Sequence, residues 1–149
     1  MRAVIQRVSK ASVQVDGDNL SGIGKGLMVL LGVEEDDNQE DAQYMAEKIV
    51  ALRIFEDEDE KMNKSLTDID GELLIVSQFT LLGDARKGRR PSFIKAAPAE
   101  KALELYDTVV KICSGKVKKV AIGQFQAHMS VKILNDGPVT ILLDSKKLF

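Results

Sequence analysis

The alternation of apolar and polar residues predicts a chain rich in β-strands. Ala11, Val13 and Val15 alternate with polar neighbours, and this period of two is typical of a half-buried strand. A turn-forming segment at 16–19 follows, and the apolar run 27–31 then predicts a strand that is buried on both faces. Further strands are predicted over residues 73–81, 129–133 and 139–143.

Two stretches with apolar residues at helical spacing lie between these strands. The first begins behind a capping residue at Asp37 or Asn38, ends near Arg53 and contains Ala42, Met45, Ala46, Ile49 and Val50. The second begins near Pro98, ends at Gly115 and contains Ala102, Leu105, Tyr106, Val109, Ile112 and Cys113. This order predicts an α+β fold in which two main helices pack on a curled, barrel-like sheet of largely antiparallel or mixed pairing. The 149 residues are expected to form a single domain.

The composition is that of a soluble globular protein. Hydrophobic residues make up 44% and charged residues 30% of the chain, and the net charge is −2. The single cysteine, Cys113, cannot form an internal disulfide, and the longest apolar run, residues 27–33, is too short to span a bilayer. We therefore expect a cytoplasmic protein without membrane contact.

Charge is distributed unevenly along the sequence. Acidic residues are concentrated at 34–37 and 56–60, and both runs are interpreted as solvated faces. One glycine-containing loop carries four cations, Arg86, Lys87, Arg89 and Arg90. Such a loop is often only a solvated segment, but its cations also suit phosphate contacts, and the nearby Phe93 could stack on a base.

Several common catalytic and binding patterns are absent. His128 is the only histidine, and it is interpreted as a surface or core residue because a lone histidine is more often structural than catalytic. No group of cysteine and histidine has the spacing of a metal site. The glycine-rich segment 22–26 matches neither the phosphate-binding loop nor the dinucleotide fingerprint, and is interpreted as a turn. The sequence therefore predicts neither a metal nor a cofactor.

Two short polar segments adjoin predicted strands. The first follows an apolar strand, and the second separates two strands. Ser77-Gln78-Phe79-Thr80 continues an apolar strand, and in an extended conformation Gln78 and Thr80 share one face. These polar side chains either bond within the protein or meet a ligand, and spacing alone favours the first interpretation. Asn135-Asp136-Gly137-Pro138 has the composition of a turn, but a Gly-Pro pair can also direct main-chain carbonyls at a ligand.

Together these segments carry a resemblance to a known family. Residues 77–81 combined with 135–140 closely resemble the D-aminoacyl-tRNA deacylase family, also called D-Tyr-tRNA deacylase. The resemblance extends in order over essentially the whole chain and includes Ile5-Gln6-Arg7-Val8, Lys61-Met62-Asn63 and Arg90-Pro91-Ser92-Phe93. It implies a homodimeric hydrolase that cleaves the ester between a D-amino acid and the 3′-terminal adenosine of tRNA. It also implies removal of glycine from mischarged tRNA.

The resemblance implies roles for individual residues. Gly137-Pro138 is expected in the cis form and is expected to reach into the other subunit's site, where its carbonyls reject L-amino acids. Residues 77–80 are expected to line the pocket for the terminal adenosine and the ester. The implied catalytic residues are Thr80, Gln78 and Phe79, and the implied substrate-binding residues are Ser77, Arg7, Gly137 and Pro138. For contacts with tRNA phosphates we expect the basic loop, with Arg86, Lys87, Arg89 and Arg90.

The group that activates water is not evident in the sequence. Thr80 could act as a nucleophile, but a threonine hydroxyl needs a neighbouring base, and none is evident. The hypothesis we favour is substrate assistance, in which the ribose 2′-hydroxyl activates water while Gln78 and the backbone N–H groups near Phe79 and Thr80 hold the ester. Two rival functions remain, a non-catalytic tRNA- or RNA-binding module and a general esterase with Thr80 as nucleophile.

Overall fold

The chain folds into strands and two α-helices, as the sequence predicts. The computed structural model describes residues 1–149. In chain order its elements are β1 (Arg2–Val15), β2 (Asp18–Ile23), β3 (Gly26–Gly32), α1 (Gln39–Ala51), β4 (Phe55–Glu56), β5 (Met62–Lys64), β6 (Glu72–Ser77), a 3-10 turn (Phe79–Leu82), α2 (Ala99–Ser114), β7 (Val120–Ile122) and β8 (Met129–Asp144).

The main sheet is organised around its first strand. β1 pairs antiparallel with β3 through its first half, with β2 through its second half, and with β8 along nearly its whole length. β6 pairs in parallel with β3, and β7 pairs in parallel with β6. The pairing is therefore mixed, and the prediction of an α+β fold with a curled, barrel-like sheet is confirmed.

Apolar side chains cover both faces of the central strands. On one face the two helices pack over residues of β1, β3 and β6, including Ile5, Val29 and Ile75. On the opposite face, Met28 and Leu74 belong to a second, smaller apolar cluster. The prediction that the run 27–31 forms a strand buried on both faces is confirmed, because alternate side chains enter the two clusters.

Hydrogen bonds and backbone conformations within short segments explain where α1 begins and how the first hairpin turns. The Asn38 side chain accepts hydrogen bonds from the N–H groups of Glu40 and Asp41, and the Asp41 carboxylate accepts one from Asn38 N–H. Asn38 is therefore the N-cap of α1. Asp16 and Gly17 have φ of 52° and 84°, the left-handed conformation that a two-residue hairpin turn requires. Neither α-helix has the length and apolar character needed to cross a membrane.

The strand predictions are wrong at both polar segments. The strand predicted over 73–81 ends at Ser77, and a 3-10 turn follows it. The strands predicted over 129–133 and 139–143 are one strand, β8, because β1 pairs with residues on both sides of the motif between them. That motif is therefore a loop bulging out of a continuous strand, and it is not a hairpin turn.

The first acidic run is also not a solvated face throughout. Asp37 is only 1% exposed, and its carboxylate accepts a hydrogen bond of 2.6 Å from the Met1 α-ammonium group. Glu34 is buried as well and forms an ion pair of 3.1 Å with Lys146. Buried carboxylates require such partners, and here the two partners come from the two ends of the chain.

Candidate active site

The polar segment after β6 is held in its turn by backbone hydrogen bonds. The Gln78 N–H donates to the Leu31 carbonyl at 2.8 Å, which extends the pairing with β3 by one residue. The chain then reverses, because Leu81 N–H donates to the Gln78 carbonyl at 3.3 Å and Gly83 N–H donates to the Thr80 carbonyl at 3.0 Å. This turn leaves the side chains of Phe79 and Thr80 exposed at the end of the strand.

The turn leaves two backbone donors and one hydroxyl available to a ligand. The N–H groups of Phe79 and Thr80 make no hydrogen bond within the chain. The Thr80 hydroxyl accepts a hydrogen bond from the Gln78 side-chain amide, and it makes no hydrogen bond with a carboxylate or an imidazole. The segment therefore offers free hydrogen-bond donors, and no protein base is hydrogen-bonded to the Thr80 hydroxyl.

A cavity of about 590 Å³ opens beside this segment. Its walls are mainly apolar and come from the end of β6, the start of α2 and the chain before β8. Its lining residues are Val33, Val76, Ser77, Gln78, Phe79, Ala96, Ala97, Ala99, Ala102, Phe125, Gln126, Ala127, His128, Met129 and Val131. An apolar pocket of this volume with a few polar groups at one side is typical of a small-molecule or nucleoside site.

The Gly-Pro loop, residues 136–139, leaves the sheet opposite a single residue of β1. Gln6 pairs with Thr140 and Val8 pairs with Asn135, so four residues of β8 face Arg7 alone. The peptide bond between Gly137 and Pro138 is cis, and both residues are exposed.

Side chains on both sides fix this loop to the sheet. Arg7 is only 7% exposed, and its Nε donates to the Asp136 carbonyl at 3.0 Å. Its Nη1 donates to the Ile54 carbonyl at 2.9 Å, and this second hydrogen bond fixes the orientation of the guanidinium group. At the far end, Val139 N–H donates to the Asn135 side chain at 3.0 Å. The loop therefore projects from the sheet in a defined conformation.

The basic loop, residues 84–92, is closed by a pair of backbone hydrogen bonds. Asp84 N–H donates to the Ser92 carbonyl at 2.8 Å, and Ser92 N–H donates back at 2.9 Å. Arg86 forms a two-pronged contact with the Asp84 carboxylate, with hydrogen bonds of 2.9 Å and 2.6 Å. The Arg86 guanidinium holds the pKa of Asp84 well below its usual range, so this pair stays ionised and internally neutral.

An aromatic contact joins the basic loop to the cavity. The Phe93 and Phe79 rings meet edge to face, with centroids 5.2 Å apart and an interplanar angle of 71°. Phe79 also lines the cavity, so the residue that follows the basic loop packs against the cavity wall. A second and more open groove, of about 680 Å³, lies over β1, β2 and β8 and contains none of the predicted site residues.

Comparison with known proteins gives this geometry its context. The family model for D-Tyr-tRNA(Tyr) deacylase matches residues 4–144. The chain belongs to the D-aminoacyl-tRNA deacylase family. Proteins named D-aminoacyl-tRNA deacylase from Caldicellulosiruptor saccharolyticus and Thermosipho africanus are 64% and 61% identical to it over 149 residues, with 100% of both chains covered. The predicted family and the predicted enzyme class, a deacylase, are therefore confirmed.

Two solved structures share the fold of this chain. A structure described as c-Myc DNA Unwinding Element Binding Protein superposes with a TM-score of 0.92 at 44% identity, over 97% of this chain and 98% of that chain. A probable eukaryotic D-amino acid tRNA deacylase superposes with a TM-score of 0.80 at 20% identity, over 95% of this chain and 97% of that chain. The second likeness shows the shared fold alone.

Within this deacylase fold, the residues predicted to act at the site fall into three groups. Ser77, Gln78 and Phe79 line the cavity, and Thr80 is bonded to Gln78 at its edge. The second group, Arg7, Gly137 and Pro138, does not line the cavity of the same chain. The third group is the basic loop, which adjoins the cavity through Phe93.

Sequence reasoning missed His128 as a residue of the cavity. The structure places this imidazole, which is exposed, among the residues that line it. The only sequence signal was its position just before the Met129 strand, and that position alone could not indicate which loop the strand start would approach.

Proposed function

We propose that this chain hydrolyses the ester bond of D-aminoacyl-tRNA, and of glycyl-tRNA, releasing the free amino acid and tRNA. The observation that carries the proposal is the cavity beside the turn after β6, found in a chain of the D-aminoacyl-tRNA deacylase family. Relatives that carry this name are about as long as the chain and align with it from end to end.

The cavity suits the 3′-terminal adenosine of tRNA. Alanines from the start of α2 give a smooth apolar wall, and Phe125 supplies an aromatic ring against which a base can pack. The polar side chains of Ser77 and Gln78 lie at the side where β6 ends, so they are available to the ribose and the ester. On this placement, the ester carbonyl lies beside the free N–H groups of Phe79 and Thr80.

These two N–H groups form the oxyanion site of the proposed reaction. Water attacks the ester carbonyl carbon, and the carbonyl electron pair moves onto oxygen, where the N–H groups of Phe79 and Thr80 stabilise the charge. Collapse of this intermediate breaks the bond between the carbonyl carbon and the ribose 3′-oxygen. The proton released by water passes to that oxygen, so the products are a free amino acid and a tRNA 3′-hydroxyl.

The contacts of Thr80 favour assistance by the substrate. Activation of a threonine nucleophile requires a base, and the hydrogen-bond partner of its hydroxyl is an amide, which is not one. The ribose 2′-hydroxyl adjoins the ester and can orient the attacking water and relay its proton, accepting that proton while passing its own to the departing 3′-oxygen, with no protein base. Thr80 and Gln78 then position the ester and the water between them.

Selection against L-amino acids is assigned to the Gly-Pro loop of a second copy of the chain. Gly137 and Pro138 are exposed, held by Arg7, and absent from the cavity of their own chain. A homodimer in which each loop reaches the other chain's cavity brings rigid carbonyls against the substrate Cα. Such carbonyls accept the amino group of a D-residue, exclude the side chain of an L-residue and pass glycine.

Matched substrates test this function directly. Release of amino acid from D-tyrosyl-tRNA, L-tyrosyl-tRNA and glycyl-tRNA is measured at equal concentrations. We expect release from the D- and glycyl-substrates and protection of the L-substrate. Binding of D-tyrosyl-tRNA without any release would identify an RNA-binding module, and a covalent intermediate with small activated esters would identify a general esterase.

Substrate assistance has a separate test. With a 2′-deoxy terminal adenosine, the single-turnover rate is expected to fall by about 10² or more, the usual contribution of a general base. Thr80→Ala is expected to retain most of the rate on the normal substrate. Near-complete loss of rate in Thr80→Ala, with tRNA binding intact, would instead make Thr80 the nucleophile.

A further inference from the structure

We propose that the exposed surface formed by Phe93, Ile94 and the cations Lys87, Arg89 and Arg90 binds the unpaired nucleotides that precede the terminal adenosine of the tRNA. We call it the acceptor surface. The inference rests on the proposed function, since it assigns the next part of the same substrate. It identifies which residues of the basic loop contact RNA and adds an apolar component to them.

The apolar part of the acceptor surface is unusually exposed. Ile94 is 85% exposed, and Phe93 and Phe79 beside it are 38% and 56% exposed. The Phe93 ring is held in place by its edge-to-face contact with Phe79. It also lies close over Gly83, where an added Cβ would be 2.9 Å from the Phe93 ring. A fixed aromatic face in solvent is what stacking with an unpaired base requires.

Three of the four cations in the basic loop are free of ion pairs, and the fourth is not. Arg86 is neutralised by Asp84, whereas Lys87, Arg89 and Arg90 form no ion pair in the structure. All three are exposed near Gly88, whose φ of +74° shapes the tip of the loop. On a chain of net charge −2, these unneutralised cations form a local attraction for a polyanion.

The acceptor surface lies next to the cavity, and this position indicates that its ligand is the RNA strand preceding the terminal adenosine. Phe79 contributes to the cavity wall and to the aromatic pair, and Ala96 of the cavity lies two residues beyond Ile94. An RNA strand whose last adenosine lies in the cavity can leave past Phe79 and reach Phe93, which contacts Phe79. Its bases then have an aromatic and aliphatic face to stack on, and its phosphates lie beside the three cations. A paired RNA end would not offer its base faces in this way.

The test compares two substrates that differ only in the proposed contact. One is D-tyrosyl-tRNA, and the other is D-tyrosyl-adenosine, which has the ester and the terminal nucleoside but no preceding nucleotides. The variants are Arg89→Ala combined with Arg90→Ala, and separately Ile94→Ser. Lys111→Ala is the control, because Lys111 is an exposed, unpaired cation near the far end of α2.

The expected result is a change in KM that depends on the substrate. For D-tyrosyl-tRNA, we expect KM to rise about 10-fold in the double variant and about 5-fold in Ile94→Ser, with kcat nearly unchanged. For D-tyrosyl-adenosine, both variants should match the wild type. The slope of log KM against log salt should decrease by about 0.7 for each lost phosphate contact on a single strand. Lys111→Ala should alter neither substrate.

The outcomes separate this proposal from the proposed function. If the wild type cleaves neither substrate, the proposed function fails. If it cleaves both and the variants keep the wild-type KM for tRNA, the acceptor surface is refuted. Equal losses on the two substrates would mean that these residues only support the cavity. Loss of the dimer in either variant would make the surface a subunit contact, which also refutes the proposal.

Discussion

The close approach of β3 to the turn after β6 gives the most direct test of how the site is built. At Gly32, an added Cβ would lie 2.9 Å from the Gln78 carbonyl oxygen and 2.6 Å from the Leu82 side chain. Leu82 can rotate away, but the Gln78 oxygen belongs to the backbone of the site segment. We therefore expect Gly32→Ala to displace the turn that carries Phe79 and Thr80.

The size of the effect follows from these distances. Ordinary contact begins at about 3.4 Å, so the Gln78 carbonyl must move by about half an ångström. Overpacking of this kind costs about 1–3 kcal/mol of unfolding free energy. A misplacement approaching 1 Å at reacting groups lowers rates by up to about 10²-fold. We expect Gly32→Ala to reduce single-turnover deacylation about 10- to 100-fold while the chain stays folded.

The assay combines single-turnover release from D-tyrosyl-tRNA with urea unfolding. Gly24→Ala is the matched control, because a Cβ there has only the Glu72 carboxylate within contact range, at 3.9 Å. It should keep the rate and stability of the wild type. Wild-type rate and stability in Gly32→Ala, or an equal loss in Gly24→Ala, would refute the view that Gly32 makes room for the turn.

Three further predictions concern other parts of the molecule. Replacing the α1 cap, Asn38→Ala, should lower the urea-unfolding free energy by about 1 kcal/mol without affecting KM, and a change below about 0.3 kcal/mol would contradict the capping geometry. Burial raises the pKa of the Cys113 thiol to about 12, so alkylation at pH 8 should proceed only through unfolding, and rapid labelling of native protein would contradict its burial. Gly137 has a φ of +133°, and a Cβ added there would lie 3.1 Å from Arg7 Nη2. Gly137→Ala should therefore disturb the Gly-Pro loop and lower the ratio of the cleavage rate of D-tyrosyl-tRNA to that of L-tyrosyl-tRNA. An unchanged ratio would count against the proposed role of the loop in selection.

Features determined by neighbouring residues were predictable from the sequence. The cap at Asn38 and the turn after β1 depend on side chains within three residues, and both form as expected. The strand buried on both faces was also identifiable, because its apolar run leaves no polar face. In each case the physical cause lies within one short segment.

Features determined by distant contacts were not predictable in the same way. The end of β6 at Ser77 depends on the turn packing beside Gly32, which is more than forty residues earlier. The burial of Glu34 depends on Lys146, at the other end of the chain. The motif resemblance pointed to the site segments and to the cis form of Gly137-Pro138, but not to the turn that ends β6 or to the bulge in β8.

The bulge of β8 opposite Arg7 separates the loop proposed to select substrates from the strand pairing of the sheet. The ladder resumes at Thr140 as soon as the Gly-Pro loop ends, so the sheet does not require any particular residue at its tip. We expect changes within residues 136–139 to leave the register of β1 and β8 intact, and changes at Arg7 to remove the hydrogen bond that holds the loop at Asp136. Under the proposed role of the loop in selection, an evolving chain can therefore change which substrates it rejects while it keeps the same fold.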